Sequence, residues 1–128
     1  MTAHLTPDTR APALTVDIVG GGRFDLAAEA PKNFTKIIFY RGYHCPVCKT
    51  YLQKLNGLVG DYESAGFSVI ALSMDGAERA TKSVEEWKLS KLKIGFGLSE
   101  QAARQWGLYI SQAIKEAEAD IFCEPGLF

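Results

Sequence analysis

Two near-continuous apolar runs, Phe34-Thr35-Lys36-Ile37-Ile38-Phe39-Tyr40 and Phe67-Ser68-Val69-Ile70-Ala71-Leu72-Ser73, stand either side of a long helical pattern. Strands covered on both faces read this way, since every side chain meets a packed layer. From Pro46, the residues Cys48, Leu52, Leu55, Leu58, Val59 and Tyr62 recur at helical spacing, with Lys49, Gln53, Asp61 and Glu63 elsewhere on the wheel. Gly66 is placed to end that helix, and Gly57 and Gly60 weaken it or admit another backbone. Strand, helix, strand is a right-handed crossover joining parallel strands. A chain containing it folds as an α/β sheet with helices on its faces.

The remaining sequence supplies smaller elements. Residues 1–13, with Pro7 and Pro12, read as an N-terminal arm ahead of a single domain over 14–128. Leu14-Thr15-Val16-Asp17-Ile18 and Arg23-Phe24-Asp25-Leu26 alternate apolar and polar around Gly20-Gly21-Gly22, which predicts an opening hairpin. Residues 27–33, with Pro31, link it to the first buried strand. Asp75 and Glu78 have the spacing of a capping box for a helix over Glu78–Leu89. Lys91–Leu98 is a short strand or extended stretch. Ser99 caps a helix ending at Gly107, Ser111 is placed to cap another through Ala119, and Ile121-Phe122-Cys123 and Leu127-Phe128 are apolar pieces around Glu124-Pro125-Gly126.

Composition narrows the function. Of 128 residues, 47% are hydrophobic and 23% charged, which excludes a disordered chain, a collagen-like repeat and a coiled coil. A chain of this size folds without a metal or disulfide. Fourteen Lys and Arg against fifteen Asp and Glu leave no cationic excess for nucleic acid. No apolar run has the length of a membrane span, and the first residues lack the basic start and apolar core of a signal peptide. The expected compartment is the cytoplasm, where thiols stay reduced and structural disulfides are rare.

Three cysteines then need a role. Cys45 and Cys48 form Cys-Pro-Val-Cys just past a buried strand and at the start of a helix, and Cys123 stands apart as a core residue. That strand edge is where ligands gather in open α/β sheets. Pro46 suits the first helical position, which leaves Cys45 as the N-cap. Free amides and the positive helix end then face the Cys45 sulfur and favour its thiolate. Cys48, nearly one turn on, reaches the same side. Cys45 is thus expected as the exposed nucleophile and Cys48 as the buried resolving thiol. Arg41, His44 and Lys49 are close enough in sequence to add positive charge, and Tyr43 is a packing aromatic. An inert buried pair and a zinc site remain open, although zinc would need ligands beyond Cys45, Cys48 and an awkwardly adjacent His44.

The stretch Phe39–Cys48, with Leu52 beyond it, resembles the redox loop of thioredoxin-fold proteins, and more narrowly of the alkyl hydroperoxide reductase/thiol-specific antioxidant family. Ala11-Pro12, the hairpin and Phe34–Tyr40 are similar to that family's N-terminal extension and first core strand, and Ser99–Leu108 to its helix ending in a Tyr-Gly-Val-like turn. The resemblance implies a mixed sheet with flanking helices and a hairpin extension. It implies that Cys45 attacks and Cys48 resolves, without cofactor or metal. It also puts Pro125 where such proteins hold a cis-proline facing the thiols. The substrate would be a hydroperoxide, with an external thiol as reductant.

Two departures shape the alternatives. Gly42 stands three residues before Cys45, where the family's Pro-x-x-x-Thr-x-x-Cys pattern puts threonine. Thiol–disulfide exchange on a protein disulfide is therefore the alternative activity, and a non-catalytic redox-sensing or interaction module is the other. The family's fold also continues beyond the strand containing Pro125, so the chain reads as truncated there. An open edge including Ile121, Phe122, Leu127 and Phe128 would then support a homodimer.

Overall fold

The expected strand–helix–strand unit forms, and a sheet is built outward from it. The computed structural model describes residues 10–29, 31–112 and 121–128. Its elements are β1 (Thr15–Ile18), β2 (Arg23–Asp25), β3 (Phe34–Phe39), α1 (Pro46–Ser64), β4 (Phe67–Leu72), α2 (Ala77–Glu86), β5 (Lys93–Phe96), α3 (Glu100–Gln105), β6 (Ile110–Gln112), β7 (Ile121–Cys123) and β8 (Gly126–Leu127), with a 3-10 turn at Leu26–Ala28. The main sheet has the order β2-β1-β5-β4-β3-β8, and β6 pairs with β7 in a second, two-stranded sheet. β3 runs parallel to β4 from Phe34 opposite Phe67 to Phe39 opposite Leu72, and β4 parallel to β5. β1 and β8 join antiparallel at either side, which makes the sheet mixed.

Alternation along the central strands divides the core into two layers. Ile38, Val69, Ala71 and Ile94 pack with Leu52, Leu55 and Val59 of α1 and with Trp87 and Leu89. Ile37, Phe39, Ile70 and Leu72 face the opposite side, against Val16, Phe24, Ala103 and Trp106. Cys45 and Cys48 belong to the first layer and Cys123 to the second.

Several expectations are corrected. The Asp75/Glu78 capping box does not form: Gly76 occupies the N-cap of α2 and gives no side-chain cap. The Asp75 carboxylate is turned instead to the loop before α1, where Tyr43 N–H donates to it. α2 stops at Glu86 rather than Leu89, and Lys88 takes a left-handed φ of 57° that ends the helical path. Ser111 lies in β6 rather than capping a helix. Residues 113–120, where the rest of that helix was expected, lie outside the described residues, as do residues 1–9 of the arm.

The last strand closes more of its surroundings than its apolar sequence suggested. Ile37 and Phe128 exchange both backbone hydrogen bonds at 2.9 Å. The Phe128 ring meets Trp106 at 5.1 Å and Phe39 at 5.8 Å. Phe122 is fully buried, so it belongs to the core and not to an open patch, and Ile121 is only partly exposed. Leu127 remains exposed.

Candidate active site

The Cys-Pro-Val-Cys loop begins where β3 runs out. Tyr40 N–H still donates to Leu72 of β4, and the chain then turns at Gly42, whose φ of +142° suits a residue without a Cβ. Cys45 N–H donates to the Gly42 carbonyl at 3.1 Å, closing the turn. Cys45 is extended and caps α1, with Pro46 in the first turn as expected. Its carbonyl accepts from Lys49 N–H, and its sulfur accepts from Cys48 N–H at 3.3 Å.

Both sulfurs are enclosed. Cys45 and Cys48 each expose 6% of their surface, so the expectation of an exposed Cys45 is overturned. The cause is packing: both lie in one cluster with Tyr40, Leu52 and Trp87, and Tyr43 packs against it. Burial pushes the Cys48 thiol up to about 12, and its hydrogen bond to Cys45 acts in the same direction. The backbone amides of Arg41 and Gly42 oppose the shift by facing the Cys48 sulfur. Cys48 is therefore a protonated thiol beside Cys45 across the neutral range.

The surrounding side chains divide between two walls. Tyr43 stacks on Trp87, and its hydroxyl donates to the Glu86 carboxylate at 2.7 Å. Arg41 and His44 turn the other way, to β7. The Arg41 guanidinium lies 4.9 Å from the Phe122 ring centre and 3.3 Å from Glu124, while the His44 ring is 4.7 Å from Phe122. Pro125 shares a surface with Cys48 but not with Cys45: an apolar groove of about 210 Å³ is lined by Cys48, Val47, Tyr51, Pro125 and Leu127, over Ile38, Phe39 and Tyr40. Its peptide bond is trans, however, which corrects the expected cis-proline. A trans bond is the lower-energy isomer, and here it leads from β7 of one sheet into β8 of the other. Cys123 is wholly buried, and its thiol donates to the Tyr40 carbonyl at 3.6 Å.

Asp75, Glu86, Phe122 and Glu124 were not singled out as site residues from sequence. Asp75 alone carried a usable signal, since it follows β4 at the same sheet edge that carries Cys45. Among the described residues no three His, Cys, Asp or Glu side chains could together hold a metal ion, and no helix is long and apolar enough to cross a membrane.

Residues 7–128 match the family model described as the AhpC/TSA family. The chain belongs to that family. An AhpC/TSA chain is expected to have peroxiredoxins among its relatives, and it does. It is 30% identical over 78 residues to a provisionally named peroxiredoxin of Mycobacterium tuberculosis, a match covering 61% of this chain and 49% of that protein. The chain thus spans about half the length of the curated relatives it matches. A mutant of peroxiredoxin 6 from Arenicola marina superposes with a TM-score of 0.78 at 18% identity, over 97% of this chain and 59% of the other. Peroxiredoxin Q of Xanthomonas campestris gives 0.72 at 20% identity, over 90% and 71%. These structures establish the thioredoxin-like fold of the AhpC/TSA domain.

Proposed function

We propose that this chain is a dithiol peroxidase, and the observation that carries the reading is that Cys48, one turn into α1, sets its N–H on the Cys45 sulfur at 3.3 Å. A sulfur at a helix N-terminus that accepts from the first-turn amides is the usual setting of a reactive cysteine. Cys45 attacks the terminal oxygen of a hydroperoxide, the O–O bond breaks, and the alkoxide or hydroxide takes a proton and leaves. Cys45 is now a sulfenic acid. The Cys48 sulfur displaces its hydroxyl as water, forming the Cys45–Cys48 disulfide. Two external thiols reduce that disulfide and become a disulfide themselves, so electrons balance without an organic or metal cofactor. A cytoplasmic setting, where such thiols are kept reduced, suits the cycle.

One observation favours a second reading. The apolar groove reaches Cys48 and not Cys45. A substrate arriving through it meets Cys48 first, and the two cysteines would exchange roles. Trapping with a sulfenic-acid probe after one equivalent of hydrogen peroxide separates the cases. The proposal expects the probe on Cys45 in the Cys48→Ser variant and none in Cys45→Ser. The opposite pattern assigns attack to Cys48. No trapping in either variant, with intact reduction of a mixed disulfide, replaces the peroxidase by thiol–disulfide exchange. Inactivity in both assays leaves the redox-sensing or interaction module.

A further inference from the structure

We propose that Asp75 is a positioning residue for the dithiol, holding the backbone of the redox loop through a charged hydrogen bond placed beneath Gly42 and Tyr43. The inference rests on the dithiol reading above. Asp75 follows β4 and exposes only 2% of its surface, a costly place for a carboxylate. Its own backbone is pinned on both sides: Asp75 N–H donates to Ser73 Oγ at 3.2 Å, and the Asp75 carbonyl accepts from Gly97 N–H at 2.7 Å. The side chain is thereby aimed at the loop. Oδ2 accepts from Tyr43 N–H at 2.8 Å. Oδ1 lies 2.7 Å from where a Cβ on Gly42 would stand, so the loop can approach only because that residue is glycine. Gly42 in turn closes the turn to Cys45, and the amides of Arg41 and Gly42 face the Cys48 sulfur. One carboxylate therefore fixes the segment that holds the Cys45 backbone through Gly42 and faces the Cys48 sulfur.

The groups around Asp75 come from every neighbouring element. Arg79 of α2 is 3.5 Å from Oδ1. His44 from the loop and the Ser73 hydroxyl from the end of β4 favour the charged form. Tyr40 after β3 and Cys123 of β7 lie within electrostatic reach. Burial outweighs them and raises the Asp75 pKa above the usual carboxylate value. With the folded value above the unfolded one, Asp75 loses stability for the fold as pH rises through its raised pKa. A carboxylate present only for folding would serve better as asparagine. The ionised form is useful because a charged acceptor holds an amide more strongly than a neutral one.

The test is the rate of Cys45 and Cys48 alkylation against pH, which needs no peroxide. Alkylation of any thiol slows on the acid side as thiolate is lost; in the parent, Asp75 taking up its proton should add a second acid limb to that fall. Asp75→Asn should slow alkylation on the order of tenfold or more at neutral pH, remove the second limb while keeping the simple thiol limb, and leave the thermal midpoint unchanged or higher. Arg79→Met should move the second limb to higher pH, since it removes a cation that favours the ionised carboxylate. Unchanged alkylation in Asp75→Asn overturns the proposal. So does a slowed rate with a lowered thermal midpoint and an unmoved second limb, or an Arg79→Met second limb at the parental pH. A parent that consumes no peroxide while the Asp75 effects on alkylation appear would sink the peroxidase reading and leave this one standing.

Discussion

Tyr43 lies flat against Trp87, with ring centres 6.2 Å apart and planes 19° from parallel. The contact ties the loop before α1 to the end of α2, and the Tyr43 hydroxyl adds a hydrogen bond to Glu86. Trp87 is buried beneath it, beside Tyr40. Trp87→Ala should lower stability by about 3–5 kcal/mol, the usual cost of emptying a large aromatic site. Urea unfolding measures it. Tyr43→Phe keeps the stack and should leave the urea midpoint in place. In the parent, the Glu86 carboxylate holds the Tyr43 phenol above its ordinary pKa, and ultraviolet titration should lose that late component in the variant.

Mild oxidation should join Cys45 to Cys48, with the loss of two hydrogens from the peptide containing both. The N-cap and first-turn positions of the two cysteines and the hydrogen bond from Cys48 N–H to the Cys45 sulfur support that pairing. Cys123 should stay unmodified under native conditions, being wholly buried on the other layer of the sheet. Mass spectrometry that finds Cys45 joined to Cys123 would overturn the assignment.

Gly42→Ala should cost about 1–3 kcal/mol, because a side chain there is strained at φ +142° and meets the Asp75 carboxylate. Part of the cost comes from that collision alone. Asp75→Ala makes room for the new methyl, so the double variant should lose less stability than the two single losses together. Additive losses would mean that backbone strain alone sets the cost.

Alkaline conditions should weaken the fold through its buried thiols. Burial pushes Cys48 and Cys123 from an ordinary 9.0 up to about 12, and raises the Tyr40 phenol as well. Below 9 both thiols are neutral in the folded and unfolded chain alike. As pH rises from there toward 12, the unfolded chain ionises first and gains the advantage, so stability falls through that window. Cys123→Ala removes one such group. It should be less stable than the parent at neutral pH, from the small void it leaves, and the gap should narrow inside the alkaline window. Thermal melts across pH read both effects.

The sequence disclosed the parts of this molecule governed by local periodicity. The alternation around Gly20-Gly21-Gly22, the apolar runs of β3 and β4, the 3.6 spacing of α1 and the cap at Ser99 each depend on near neighbours, and each formed. Cys45 at the N-cap followed from Pro46 alone. What stayed hidden depends on distant contacts. Asp75 and Glu78 have capping spacing, but Tyr43, 32 residues away, offers the carboxylate a buried donor. Ser111 matches a helix cap until Phe122 pairs with it across β6 and β7. The exposure of Cys45 failed for the same reason, since Trp87 and Tyr40 close over it from separate elements.

The exposed border of β8 carries the final prediction. β8 is the outermost strand beside β3, so its outer backbone groups have no sheet partner among the described residues. Leu127 is 60% exposed and Val47 78% exposed, and both line the groove that also holds Tyr51 and Pro125. An open strand edge beside apolar side chains favours pairing with another chain. The 128-residue chain should therefore self-associate at micromolar concentration, as a homodimer through this edge. Phe128→Asp would test this poorly, because that ring also packs on Trp106 and Phe39 and its loss disturbs the monomer. Leu127→Asp is cleaner: Leu127 is exposed at the groove and has no ring contact with Trp106 or Phe39 to lose, so thermal stability of the monomer should hold while light scattering falls to the monomer mass. If the parent already scatters as a monomer, or if Leu127→Asp leaves a dimer intact, the edge is not the interface.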